Sequence, residues 1–205
     1  MAAEVRLQAQ LSTLAGAADG LALSVVAVHA DDNGSGSGIV LDTTGLVLTN
    51  GHVVDKSTRI TVEDASGTHA FRATVLGIDP LHDIALLKLD SPPGLPAARI
   101  DTTLHPQPGS AVLAIGYAGG RAQPTATTGT VEALNQRIRS DRLDSIMIGL
   151  MAVNAHAEPG DSGGALFDPD GRVIGLITAI ATDNPTTLVI PIDEAIDVAS
   201  TWATR

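Results

Sequence analysis

The sequence predicts an all-β protein made of two units of similar size, and three observations carry that prediction. Short apolar runs rich in Val, Ile, Leu and Thr recur along most of the 205 residues. Turn residues punctuate them at near-regular intervals, and proline-bearing breaks between residues 91 and 109 divide the runs into two series. Spacing of this kind points to an antiparallel barrel or sandwich.

The elements follow in order. Leu7, Leu11 and Leu14 lie at helical spacing within residues 4–15, until Gly16 and Gly20 interrupt the pattern, which predicts a short leading helix that packs by its apolar stripe. Strands are expected at 23–28, 38–41, 46–49, 59–62, 71–75 and 84–89, separated by turns such as Asp32-Asn33-Gly34, Thr43-Thr44-Gly45 and Ala65-Ser66-Gly67. A second series is expected at 111–115, 129–134, 146–153, 164–167, 173–179 and 187–190, with a strong hairpin turn at Asp168-Pro169-Asp170-Gly171. The period then changes: Ile192, Ala195 or Ile196, Ala199 and Trp202 share one side of a closing helix, and Asp193 and Glu194 place negative charge at its start. The expected organisation is a helical segment at 1–20, a first β unit at 21–105, a second at 106–191 and a helix at 192–205. No internal repeat is evident in the sequence.

Composition narrows the function classes. The residues are 44% hydrophobic and 17% charged, so a sizeable core can form, and with four aromatic residues that core is aliphatic. A formal charge of −11 offers no basic footprint for phosphates, and aromatic platforms for stacking bases are too few, so nucleic acid is not an expected partner. Without cysteine there is no thiolate nucleophile or thiolate metal site, and no cofactor or metal is expected. The apolar stretch 21–30 is too short to span a bilayer, and nothing before it has the pattern of an export signal, so no membrane segment is expected in this chain.

Three stretches carry chemistry. Gly160-Asp161-Ser162-Gly163-Gly164 surrounds a serine with small residues, allowing a tight turn in which the N–H groups of Gly160 and Ser162 converge on a developing oxyanion. A serine hydroxyl needs an imidazole to take its proton, and the imidazole needs a carboxylate to fix its tautomer. His52, just past the apolar run 46–49, and Asp83, just before the run 84–87, can fill those roles, with His82 a competing candidate in a turn. The Gly-x-Ser-x-Gly pattern of α/β-hydrolases also matches, but it requires a helix after the serine and a histidine later in the chain. Here residues 165–179 read as a hairpin, and the last histidine is His156.

Taken in order, Gly36-Ser37-Gly38-Ile39-Val40-Leu41, Gly45-Leu46-Val47-Leu48-Thr49-Asn50-Gly51-His52-Val53-Val54, Asp83-Ile84-Ala85-Leu86-Leu87-Lys88, Gly160-Asp161-Ser162-Gly163-Gly164-Ala165-Leu166 and Val173-Ile174-Gly175-Leu176-Ile177-Thr178-Ala179 resemble the trypsin-like serine peptidases, and within them the HtrA/DegP-type proteases. The resemblance implies two antiparallel six-stranded β-barrels, His52 and Asp83 from the first and Ser162 from the second. It implies acyl transfer with polypeptides as substrate and an extracytoplasmic setting. His156, Ala157 and Glu158 would lie near the base of the primary specificity pocket, with Ile177, Thr178 and Ala179 along a wall. Without an aspartate at His156, the preference expected is a small or medium apolar side chain rather than Lys or Arg.

The chain departs from the HtrA pattern at Asp161, where asparagine is usual, and a buried carboxylate there needs a positive partner. Arg137, Arg139 or Arg142 is the expected one. No PDZ-like segment follows Ile192, so peptide-triggered activation and cage assembly do not carry over, and self-association through the leading helix stays open. Two alternatives to a peptidase remain: a protease-fold binding module or holdase without turnover, and an esterase using the same constellation.

Overall fold

The computed structural model describes residues 1–31, 34–91, 94–140, 145–180 and 186–203. Its first six strands, β1 (Val25–Ala30), β2 (Gly34–Val40), β3 (Leu46–Thr49), β4 (Ile60–Glu63), β5 (Ala70–Asp79) and β6 (Ile84–Leu89), close into a barrel in the order β1-β2-β3-β6-β5-β4. The next six are β7 (Ala111–Gly116), β8 (Thr125–Ser140), β9 (Ser145–Val153), β10 (Ala165–Phe167), β11 (Val173–Ile180) and β12 (Thr187–Pro191). They close in the order β10-β11-β12-β9-β8-β7, which, read from β7, is the same pattern of neighbours. The repeat invisible in the sequence is therefore present in the topology. Closure leaves neither sheet with a free edge, so every strand has two antiparallel neighbours.

The apolar runs are nearly continuous rather than alternating because both faces of the key strands are covered. In β1, Val26 and Val28 point into the first barrel with Val40, Val47 and Leu87, while Val25 and Ala27 join a second cluster outside it. Val112, Ala114, Val153 and Val189 fill the second barrel. The outer cluster, which includes Ile39, Leu48, Ile84, Leu113, Ile115 and Phe167, also takes Leu14 from the N-terminal helix and Ala195 and Ala199 from the C-terminal one. Apolar surface thus cements the two barrels face to face, with both helices packed on the seam.

Several boundaries differ from expectation. Helix α1 runs from Ala2 to Ala22 through both glycines. Each glycine costs only about 1 kcal/mol in a helix, and Leu14, Ala18 and Leu21 on the outer cluster outweigh that. The strand expected at 129–134 is the middle of the 16-residue β8, which bends past β9 through register shifts between Val131 and Ile138. His52 sits in a one-turn helix, α2 (Gly51–Val54), that periodicity is too short to reveal. The closing helix α3 (Ile192–Ala203) forms as expected, and its Trp202 lies against β5 at Gly77. Most of the expected turn 32–34 and part of the proline-rich loop lie outside the described residues.

Candidate active site

The site forms where the loops of one barrel meet those of the other. From the first barrel, β3 ends at Thr49, Asn50 leads into α2, and the backbone N–H of His52 donates to Oδ1 of Asp83 over 2.9 Å. The His52 ring meets the same carboxylate through Nδ1 and Oδ2 at 2.8 Å. Asn50 donates its amide to the Asp83 carbonyl, 2.9 Å away. Asp83 adopts φ +58° at the start of β6, held there by the turn at 79–82. In that turn Asp79 Oδ1 accepts the N–H groups of Leu81 and His82, at 2.8 and 3.1 Å.

The second barrel completes Asp83. Thr178 Oγ1 donates to Oδ2 over 2.6 Å. At 1% exposure the carboxylate is buried, and burying it is tolerable because two side-chain donors and one backbone N–H satisfy it. With Asp83 as acceptor, the bonding assigns the proton to Nδ1 of His52 and leaves Nε2 as the basic nitrogen.

The serine loop, residues 160–164, is stapled to the first barrel by Ser37 of β2. Its N–H donates to the Ser162 carbonyl (2.7 Å), its hydroxyl donates to the Gly160 carbonyl (2.8 Å), and that hydroxyl oxygen in turn accepts the N–H of Tyr117 (2.8 Å). The backbone is so close here that a Cβ on Gly163, at φ +87°, would lie 2.0 Å from the Ser37 carbonyl oxygen. Gly160, at φ +107°, would likewise drive a Cβ to 2.6 Å from the Tyr117 carbonyl oxygen. The N–H of Gly119 donates to the Pro159 carbonyl at 2.6 Å. Among the described residues no peptide bond is cis, so fixing that carbonyl turns the Gly160 N–H to the opposite side of the Pro159–Gly160 peptide. Ser162 Oγ donates to the Thr178 carbonyl, 3.2 Å away.

Of the three cations expected beside Asp161, the two that fall among the described residues, Arg137 and Arg139, are not the groups that meet it. Among the described residues its carboxylate accepts the Glu158 N–H (2.8 Å) and the Thr125 hydroxyl (3.3 Å), and the charge that reaches it is that of Arg121, itself 3.4 Å from Glu158. Neither Arg137 nor Arg139 is among these partners, and Arg142 lies outside the described residues. Burial raises the Asp161 carboxyl above its ordinary value, and the Glu158 carboxylate adds to the rise.

The six residues placed at the specificity pocket differ in accessibility. His156 is 63% exposed and 3.9 Å from Glu158, while Ala157 and Ile177 are buried. Ala179 pairs with Leu188 across β11 and β12. Thr178 turns its hydroxyl to Asp83. His82, the competing imidazole, is bound to Asp79 through Nδ1 at 2.7 Å. Sequence reasoning assigned no role to Ser37 or Gly119. The one available signal was the run Gly36-Ser37-Gly38, small residues at the start of an otherwise apolar strand. Among the described residues no cluster of metal-ligating side chains occurs, and no helix is long and apolar enough to cross a membrane.

A double barrel with a His–Asp pair on one half and a glycine-framed serine on the other has the architecture of the trypsin-like class. The model of the trypsin-like peptidase domain matches residues 36–176, and the chain belongs to that family. It is 34% identical over 173 residues to the putative serine protease HhoA of Synechocystis sp., covering 83% of this chain and 43% of that protein. It is 35% identical over 145 residues to a probable periplasmic serine endoprotease, DegP-like, of Rickettsia prowazekii, covering 71% of this chain and 28% of the relative. The chain thus spans less than half the length of these relatives. In structure it is similar to the serine endoprotease of Yersinia pestis, with a TM-score of 0.77 at 28% identity over 89% of this chain and 64% of that one.

Proposed function

We propose that the protein is a serine endopeptidase of the HtrA/DegP type that cuts polypeptides through an acyl-enzyme. The observation that carries this is the doubly anchored Asp83, held by His52 from one barrel and Thr178 from the other, beside the serine loop. The Ser162 hydroxyl leaves the Thr178 carbonyl by turning about its single side-chain torsion and passes its proton to Nε2 of His52 as Oγ attacks the scissile carbonyl. The N–H groups of Gly160 and Ser162 receive the oxyanion, His52 then protonates the leaving amine, and water repeats the sequence to free the acid. Asp83 stabilises the imidazolium throughout.

The exposed His156 and the buried Ala157 and Ile177 support a pocket for a small or medium apolar side chain before the scissile bond. Relatives described as periplasmic support an extracytoplasmic role in protein quality control or processing. Labelling with a fluorophosphonate, compared with Ser162→Ala, tests the nucleophile. Casein and a simple ester, offered in parallel, separate a peptidase from an esterase. Absence of labelling would favour a binding module without turnover.

A further inference from the structure

A recess of about 590 Å³, not lined by the serine, lies between the turn before β6, the start of β9 and the first turn of α3. Its volume lies in the range of pockets that hold ligands. Leu81, Ile146 and Ile148 stand at its rim with 61%, 47% and 68% of their surface exposed, which is unusual for large aliphatic side chains placed together. One carboxylate, Glu194, lines it, and Gly149 opposite leaves room for that group: a Cβ there would be 3.6 Å from Glu194 Oε2.

Glu194 is half-buried, and among the described residues no hydrogen bond or ion pair holds it. Burial raises its carboxyl above the ordinary value, with Asp193 and Asp79 adding to the rise and His82 opposing it. His82, which also lines the recess, is tied to Asp79 through Nδ1 and makes no hydrogen bond to Glu194 among the described residues. A partly desolvated carboxylate without a hydrogen-bond partner costs stability, and local violations of that kind mark functional sites.

We propose that this recess is a second polypeptide-binding site, an exosite that takes an arginine or lysine side chain flanked by aliphatic residues from a substrate segment remote from the scissile bond. An aliphatic rim around one carboxylate complements a side chain with an apolar stem and a cationic end. The net charge of −11 draws basic segments toward the protein. His82 immediately precedes Asp83, so an occupant of the recess rests on the same turn that carries the catalytic carboxylate. The exosite rests on the endopeptidase reading for its purpose, though its binding is independent of turnover.

The test is fluorescence anisotropy with Ser162→Ala protein and the labelled peptide Gly-Ile-Arg-Leu-Gly, against the same peptide with Glu in place of Arg. Saturable binding of the Arg peptide alone is expected, weakened about tenfold by Glu194→Gln and several-fold by Ile148→Ser. Thermal melts should show Glu194→Gln at least as stable as its parent, which excludes unfolding as the cause. Equal affinity for both peptides, or no change with Glu194→Gln, would overturn the proposal. So would concentration-dependent dimerisation suppressed by Ile148→Ser without peptide binding, which would make the occupant a second copy. Fluorophosphonate labelling of the unmodified chain separates the two readings. Labelling without peptide binding sinks the exosite alone, and peptide binding without labelling sinks the endopeptidase and the exosite's role in it.

Discussion

Two His–Asp pairs draw their carboxylates, Asp83 and Asp79, from one turn of this molecule, and only one of them belongs to the candidate active site. His52–Asp83 and His82–Asp79 have nearly the same length, 2.8 and 2.7 Å. They differ in surroundings. Exposures are 9% and 1% for the first pair, 40% and 26% for the second. The first joins residues 31 apart and takes a third donor from the other barrel, whereas the second closes a local turn. The comparison teaches that the pair's identity does not make a catalytic base. Exclusion of water strengthens the carboxylate's hold on the ring, and placement between the barrels adds the Thr178 hydroxyl as a donor.

The largest expected effect comes from the buried side. Ser162→Ala should abolish fluorophosphonate labelling and proteolysis, with unchanged melting. Asp83→Asn offers an amide that can donate to the ring and reverse its tautomer, so kcat should fall on the order of 10⁴-fold. The same exchange at Asp79 should change kcat only a few-fold. Equal losses at the two positions, read by steady-state kinetics on a peptide substrate, would break the distinction.

Ser37→Ala should come next. It leaves the Tyr117 N–H and the Gly160 carbonyl without their shared partner. Destabilisation of about 2 kcal/mol is expected in urea melts, and kcat should drop at least tenfold with KM little changed, because the loop proposed to present the oxyanion donors keeps only the backbone bond from Ser37 to Ser162.

Asp79→Asn should cost about 1 kcal/mol at neutral pH, with a characteristic pH dependence. Burial tends to raise the Asp79 carboxyl, but hydrogen bonds from the His82 ring and from the N–H groups of His82 and Leu81 bring it below the ordinary 3.8. A depressed carboxyl contributes stability above 3.8 that is lost as pH falls through the folded-state value. The melting difference between parent and variant should therefore shrink in acid below that point.

Asp161→Asn should show the opposite sign and the smallest effect. The folded-state value of Asp161 lies above 3.8, so the parent loses stability from this group as pH rises from 3.8 through that value. The asparagine variant does not titrate there, and its stability relative to the parent should climb over the same range and then level off. A difference that is flat with pH would mean that the carboxyl is not strained by burial.

The sequence made the strands legible because their cause is local. Aliphatic runs of four to eight residues, ended by turns such as Asp168-Pro169-Asp170-Gly171, announce strands wherever they fall. Elements only about one period long, such as the four-residue α2 that presents His52, leave no such trace. Nor could periodicity foresee α1 running through Gly16 and Gly20, since the contacts that hold it come from the outer cluster at the seam between the barrels.

What the chain alone determined is its inventory: two series of strands, a serine among glycines, and imidazoles and carboxylates placed at strand ends. Which of those groups meet was settled only by closing each barrel and docking one against the other. Ser37 reaches Tyr117 and Gly160 across 80 and 123 residues, and Thr178 reaches Asp83 across 95. Separations of that size carry no local signal. Such bonds exist because burying the apolar seam brings the two loop systems together, and the polar groups trapped between them must then satisfy one another.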